Sequence, residues 1–427
     1  MSYQTPKDYA IGAAQSDIPT AWMPSSEPRV QSGGSHRIVS VASQNGTVTS
    51  GQQLSFQLPA NLGAGFLVSG SAYIKMTVSV TQAVAQSWAF RQYGSAHSLF
   101  LRMSALLSGS LAEQIQNYNK LCSSLTLHAS NASFVTNDDK IAQNTMAGGF
   151  ETAAVTVCVP INLGLFNARC HLPLFLLSQC QLQVDLDSVG QALTSGSANA
   201  ISEYSISNAN LIFNQLVPDA VYEQGVRQML ASRVYQIPIN TWYNLKLANA
   251  ASITQNIGLN SSSVKGVFWN VVLPHTTPAD QQRSSSAFTS DAQTAAYLYL
   301  DGQLVSNSNL STPAEQFLEM NRALNVMGDV ERTSWAPSSA AGVNGTAVAG
   351  DFTISSITRA LYSAGAYLGG LSCSRSNQDG FSFSGSPVNT AVLQVSNAGT
   401  AGGTFYIYCA LQQVVTIDVA SNVNLIR

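Results

Sequence analysis

A nine-residue pattern occurs twice, about half a chain apart. Residues 112–120 read Ala112-Glu113-Gln114-Ile115-Gln116-Asn117-Tyr118-Asn119-Lys120, and residues 314–322 read Ala314-Glu315-Gln316-Phe317-Leu318-Glu319-Met320-Asn321-Arg322. Four of the nine positions are identical, Ile aligns with Phe, Tyr with Met and Lys with Arg, and the offset is 202 residues in a chain of 427. Four identities in nine arise by chance somewhere in a chain this long. The half-chain offset and the shared context add weight, because each copy follows a short apolar run, Ser98-Leu99-Phe100-Leu101 and Tyr297-Leu298-Tyr299-Leu300. A period this long is far from the roughly 20–50 residues of a solenoid. It predicts two whole domains of one kind in tandem. Each copy reads as a short helix packed on its own domain, with Ala112, Glu113, Gln114, Ile115 and Asn119 matching Ala314, Glu315, Gln316, Phe317 and Asn321. Helical spacing of Leu111, Ile115, Tyr118, Cys122 and Leu125 supports a first helix over about 111–125, buried through Ile115. Thr312, Pro313 and Glu315 supply an N-cap, a first-position proline and an acidic first turn for the second, which Phe317 should anchor.

Around these segments the pattern is that of strands. Period-two alternation or short apolar runs mark 37–41, 54–58, 66–68, 73–80, 153–159, 172–177, 181–186 and 205–216. After an expected helix at 218–230 the order repeats, with strands at 234–239, 242–247, 264–273, 297–300, 352–357, 391–395 and 404–416, and an extended tail at 423–426. Residues 131–149, 188–200 and 334–350 read as polar or small-residue loops. Few helices and many short strands at this spacing predict an all-β chain of two tandem eight-stranded sandwiches of jelly-roll type, each with a short helix. The expected organisation is an extended N-terminal arm at 1–35, a first roll at 36–217, a linker helix at 218–231 and a second roll at 232–427. The arm holds Pro6, Pro19, Pro24 and Pro28 among polar residues, with Tyr9, Ile11, Trp22 and Met23 as isolated apolar anchors. Such a segment cannot bury enough of itself to offset the entropy of ordering, so it should order against a neighbour.

Charge separates the function classes. Asp, Glu, Lys and Arg make up 10% of the chain, and the net charge is −3, where about 25% charged residues is usual. Aromatic and branched residues recur throughout, which argues against disorder. A folded chain that buries much of its surface against copies of itself fits better, since obligate interfaces shed ions that are costly to desolvate. Without a basic stripe, direct nucleic-acid binding is not expected. The six cysteines (Cys122, Cys158, Cys170, Cys180, Cys373, Cys409) lack any Cys-x-x-Cys spacing and read as buried thiols made in a reducing compartment, and no secretory leader precedes them. No His-Glu-x-x-His, phosphate-binding glycine loop or Gly-x-Ser-x-Gly elbow is found, so no enzyme chemistry, metal site or cofactor is expected.

Several stretches, in order, resemble a known family. They are Gly109-Ser110-Leu111-Ala112-Glu113-Gln114-Ile115 with Asn119 and Leu121, His171-Leu172-Pro173-Leu174-Phe175 followed by Leu182-Gln183-Val184-Asp185-Leu186, Ile206-Ser207-Asn208-Ala209-Asn210-Leu211, and Gly385-Ser386-Pro387-Val388-Asn389 before Val392-Leu393-Gln394-Val395. Together they resemble the double jelly-roll major capsid proteins of icosahedral DNA viruses, the lineage of tectiviruses, adenovirus hexon, virophages and polinton-like viruses. That resemblance implies a virion protein, made in the host cell, with two rolls per chain. Three chains would form a pseudo-hexagonal homotrimer that tiles a shell around a DNA genome. The implied partners are other copies of the chain, penton and minor capsid proteins and, optionally, an internal membrane. A receptor- or carbohydrate-binding spike built on β-sandwiches is the rival. It would need aromatic residues gathered on one loop face, whereas Trp22, Trp88, Trp242, Trp269 and Trp335 are dispersed.

Overall fold

The computed structural model describes residues 34–82, 88–90, 96–129, 152–195, 201–272, 288–305, 309–325, 335–337, 354–356, 362–363, 365–373 and 385–426. The arm residues Tyr9, Ile11, Trp22 and Met23 lie outside them, as do the expected loop at 131–149 and all of that at 334–350 except 335–337.

The first half builds two facing sheets around eight main strands, with short strands at Val48–Thr49, Phe66–Leu67 and Leu172–Pro173 added to the first sheet. The main strands are β1 (Ser35–Ala42), β2 (Gln53–Leu58), β3 (Tyr73–Gln82), β4 (Phe100–Leu107), β5 (Ser110–Gln116), β6 (Val155–Pro160), β7 (Cys180–Leu186) and β8 (Ile201–Val217). One sheet runs β1-β8-β3-β6 and the other β2-β7-β4-β5, all antiparallel. First strand beside last, and second beside seventh, is the jelly-roll connection. Period-two patterning explains the layers. Leu54, Phe56, Ile74, Met76, Val78, Met103, Leu182, Val184, Leu211 and Phe213 point inward and are buried, while the intervening residues face outward.

The second half repeats the plan, with one long strand in place of two, an added tail strand and a short extra strand at Phe288–Thr289. Its strands are β9 (Tyr235–Ala248), β10 (Ser252–Val272), β11 (Ala295–Leu300), β12 (Gln303–Leu304), β13 (Gly369–Ser372), β14 (Ser386–Ser396), β15 (Thr404–Ile417) and β16 (Val423–Ile426). The 21-residue β10 serves as second and third strand at once. Its N-terminal half pairs with β14 in the order β10-β14-β11-β12; its C-terminal half lies between β15 and β13 in the order β9-β15-β10-β13. The strand turns the corner between sheets where the register slips, between Gly258 and Ser261 and again before Val264, with Asn260 at φ 42°. The hydroxyl of buried Ser263 accepts from the Gly385 N–H and donates to Gln412, satisfying groups that the corner would leave unpaired.

Several boundaries differ from the sequence reading. The stretches 234–239 and 242–247 are one strand, β9, because Pro238 sits on a strand whose only ladder partner there, among the described residues, is β15, and an edge strand tolerates a missing N–H. Residues 172–177 are a strand only at Leu172–Pro173, and Leu174–Leu176 coil into a 3₁₀ turn. The expected loop at 188–200 holds a helical turn, Val189–Ala192, and a short strand, Leu193–Ser195. Trp335–Pro337, inside another expected loop, pairs with Ile354–Ser356. The tail at Val423–Ile426 pairs with β15.

The largest correction concerns the repeated segment. Ala112, Glu113, Gln114 and Ile115 are not helical; they lie in β5, and only Asn119 falls in a helix, α1 (Tyr118–Ala129). The cause is the turn before them. Ser108 and Gly109 both have positive φ, 49° and 82°, which folds β4 and β5 into a two-residue hairpin. Ladder bonds then outweigh the helical spacing, and Leu111, placed on the helix's apolar face by sequence, is exposed. Helix formation begins only after Asn117, at φ 47°, whose carbonyl accepts from Lys120 and Leu121. The linker helix α2 spans Ala220–Met229. The second copy is helical: α3 (Pro313–Ala323) begins at Thr312, whose hydroxyl accepts from the Glu315 N–H while the Glu315 carboxylate takes the Thr312 N–H. Ala314 and Glu315 are exposed, Phe317 and Asn321 half-buried, and Gln316 and Met320 face the core. The nine-residue match therefore pairs a strand with a helix. What the two halves share is strand, positive-φ turn, strand, helix. The turns are Ser108-Gly109 and Asp301-Gly302 (φ 47° and 83°), 193 residues apart (301 − 108) rather than 202.

Candidate assembly interface between the rolls

The edge of the first roll, β5 with α1, lies against the first strand and outer sheet face of the second roll. Glu113 occupies the centre of this seam. It is 4% exposed, and its carboxylate accepts from the backbone N–H groups of Gly164 (2.9 Å) and Leu165 (2.8 Å). Thr241 of β9 donates to it from the other roll. Burial pushes the Glu113 carboxyl up, and these three donors pull against that rise. Gly164 is required by contact rather than conformation: a Cβ there would stand 2.0 Å from the Asn240 carbonyl oxygen. The Asn244 side chain donates to the Gln116 carbonyl, ending β5 against β9.

Helix α1 continues the seam across the outer face of the second roll's sheet. Buried Asn119 donates to Asp187 (2.6 Å), whose charge in turn lies near Tyr406 of β15. Ser124 accepts from Asn270 (3.0 Å), and Asn270 accepts from the Tyr408 hydroxyl (3.3 Å). At the helix end the His128 Nε2–H donates to the Ala366 carbonyl (2.8 Å), and its ring stands edge-on to Tyr362. Tyr362 also packs edge-on to Phe317 and against Tyr367, so the half-buried Phe317 joins the seam through one aromatic neighbour. Desolvation drops the His128 pKa to about 4, which makes its ring neutral at physiological pH.

The opposite end of the seam is held by backbone acceptors. Tyr235 donates to the His171 carbonyl, Ser421 to Leu176 and Arg227 of α2 to Phe175. The buried Glu223 of α2 accepts from Gly63 (2.8 Å) and Gly65 (3.0 Å). Gly65 combines φ 60° with a Cβ position 2.2 Å from the Leu216 oxygen, so only glycine fits there. Most of the polar groups named here are buried and paired, as a permanent contact requires, while Asn244 Oδ1 and Arg227 Nε are buried with no hydrogen-bond partner among the described residues.

The structure thus brings Glu113, Asn119 and, through Tyr362, Phe317 to one surface, and leaves Ala314, Glu315 and Asn321 away from it. Sequence reasoning missed Gly164, Asp187, Thr241, Asn270 and Tyr408, because each acts only across two segments far apart in the chain. Among the described residues no three of His, Cys, Asp and Glu gather as metal ligands, and no helix is long and apolar enough to cross a membrane. The six cysteines are free thiols, with Cys122, Cys180, Cys373 and Cys409 buried and Cys158 and Cys170 half-buried.

No protein-family model matches the sequence, and no curated protein matches it. Solved structures do match. The PBCV-1 virus capsid superposes with a TM-score of 0.61 at 16% identity, over 94% of this chain and 98% of that one. The Faustovirus major capsid protein gives 0.57 at 9% identity, over 94% and 92%. The mavirus major capsid protein gives 0.52 at 10%, over 91% and 89%. Likeness at this identity is likeness of fold, and it runs nearly end to end through both rolls. The chain is a double jelly roll, the fold of these viral capsid proteins.

Proposed function

We propose that the chain is a major capsid protein. Its units are the arm at 1–35, the rolls at 36–217 and 232–427, and the joining helix at 218–231. Three copies form a pseudo-hexagonal homotrimer that tiles an icosahedral shell around a DNA genome. The observation that carries this reading is the near-complete overlap, in both directions, with viral capsid proteins. The seam supports it: two rolls fixed side by side by buried polar pairs make a rigid building block. A surface poor in charge suits burial between copies. The role is structural rather than enzymatic, and the location is the virion. Its partners are other copies of the chain, with penton and minor capsid proteins and an internal membrane as further neighbours. The arm, through Tyr9, Ile11, Trp22 and Met23, docks on a neighbouring protein. The spike reading gains nothing from the tryptophans, because Trp88 and Trp269 are core residues and Trp242 is half-buried in β9. Electron microscopy of concentrated purified protein tests the proposal. Flat hexagonal arrays are expected; a dispersed monomer that binds glycans on an array would overturn it.

A further inference from the structure

The two rolls expose corresponding sheet faces of opposite chemistry. In the first roll the outer face of β2-β7-β4-β5 is closed on itself. Gln53 donates to Asp185, Arg102 pairs with the same carboxylate, Gln181 donates to Ser55 and Gln114 to Ser104. A face whose polar groups are already paired has little to offer a ligand.

The corresponding sheet of the second roll, β10-β14-β11-β12, turns Ile257, Leu298, Leu393 and Val395 into the core and the alternate residues outward. The register sets these in two rows, Thr254–Gln394–Tyr297 and Asn256–Val392–Tyr299. Thr254 and Asn256 are exposed and the other four half-buried. Among the described residues no side chain of the two rows has a hydrogen-bond partner, so two phenols, two amides and a hydroxyl are left to water. Residues 252–259, 295–300 and 386–396 hold no Asp, Glu, Lys or Arg. Helix α3 does not cover this face; it packs on β13 in the other sheet.

This chemistry selects the occupant. The two phenol rings stand about 7 Å apart along β11, and three strands span about 10 Å, which makes a flat platform. A charged ligand finds no counter-ion on it, and an apolar protein segment would strand the free amides and hydroxyls. A neutral sugar suits both parts. Its C–H faces stack on the phenol rings, and its hydroxyls exchange hydrogen bonds with Gln394, Asn256 and Thr254.

We propose that the outer face of β10-β14-β11 in the second roll binds a neutral oligosaccharide, with Tyr297 and Tyr299 as the stacking platform. The assignment goes beyond the capsid reading and does not depend on it. The test titrates the full-length protein by calorimetry with cellohexaose, laminarihexaose and N-acetylchitohexaose, each to about 5 mM, with a heparin hexasaccharide as the charged control. At least one neutral sugar is expected to bind, and heparin is not. Tyr297→Ala and Tyr299→Ala should each weaken binding about tenfold. Tyr297→Phe keeps the ring and should weaken it less than Tyr297→Ala, and Gln394→Ala should weaken it with both rings in place. Gln183→Ala, on the paired face of the first roll, should change nothing. Circular dichroism checks that each variant is folded. Absence of binding by every neutral sugar, tighter binding of heparin, or alanine variants that bind like wild type would overturn the assignment. Folded alanine variants that no longer form arrays would give the face to a second copy and overturn it as well. Array formation by the wild type reports on the capsid reading separately, so either reading can fail alone.

Discussion

Acid should weaken this fold through two buried histidines, and the effect can be assigned to them. His97 and His128 are fully enclosed, and desolvation drops each pKa from 6.5 to about 4. A base whose folded pKa lies below its unfolded value contributes stability above the unfolded pKa and loses it as pH falls toward the folded one. The window is therefore between about pH 6.5 and pH 4. At 1.36 kcal/mol per pH unit, each histidine costs about 2.5 kcal/mol at pH 4.5 relative to pH 7.5, and the pair about 5 kcal/mol. Half-buried His171, whose pKa desolvation also lowers, adds a loss of the same sign, and the carboxyls do not mimic it. The lowered carboxyls of Asp291, Asp301 and Asp418 give up their contribution only near and below their ordinary value of 3.8. Glu113, whose pKa is raised, acts in the opposite sense and strengthens the fold as pH falls. His128→Gln keeps a donor for the Ala366 carbonyl and removes one titration. Urea unfolding from pH 7.5 to 4.5 should then show a loss smaller than wild type by about 2.5 kcal/mol. Identical losses in the two proteins would refute the claim that His128 is buried as a neutral donor.

Gly164→Ala should cost about 3 kcal/mol or more, read by thermal unfolding, because its Cβ meets a backbone oxygen rather than a side chain that can swing away. Ile115→Ala, at a fully buried strand position, should cost about 2–5 kcal/mol in denaturant unfolding. Phe317→Ala should cost less than Ile115→Ala, since Phe317 is half-buried and holds chiefly to Tyr362. Association should depend weakly on salt, because few ions are available to be screened; dissociation by moderate salt at neutral pH, followed by light scattering, would contradict this. Deleting residues 1–30 should leave the proposed homotrimer and its melting temperature nearly unchanged while shells become irregular under the electron microscope.

Strands were legible wherever one face of the chain is dry and the other wet. The alternation at 205–216 and 181–186 reports that difference directly. The doubly buried C-terminal half of β10 was still legible as the apolar run 264–273, whereas its 252–259 segment went unread although its residues alternate, because it joins the strand around a corner of small polar residues. The repeated nonapeptide shows the limit of residue identity. Both copies have the same Ala-Glu-Gln, but a positive-φ Ser-Gly turn two residues upstream commits the first to a hairpin, while Thr312 and Pro313 commit the second to a helix. The two halves share an element order that the alignment of the two segments does not show. The seam was illegible for a simpler reason. Glu113 carries no sign in its own neighbourhood that its partners are Gly164, Leu165 and Thr241.

The central claim is that this chain is a two-roll block whose copies close into a six-roll ring. Cryo-electron microscopy of the purified wild-type particle, with its mass measured on the same sample, tests it most directly. The account predicts a mass near three times the 45.2 kDa of the chain and a ring of six sandwiches in which contacts within and between chains alternate and look alike. A particle of one chain, or one whose sandwiches do not close into a ring, would contradict it.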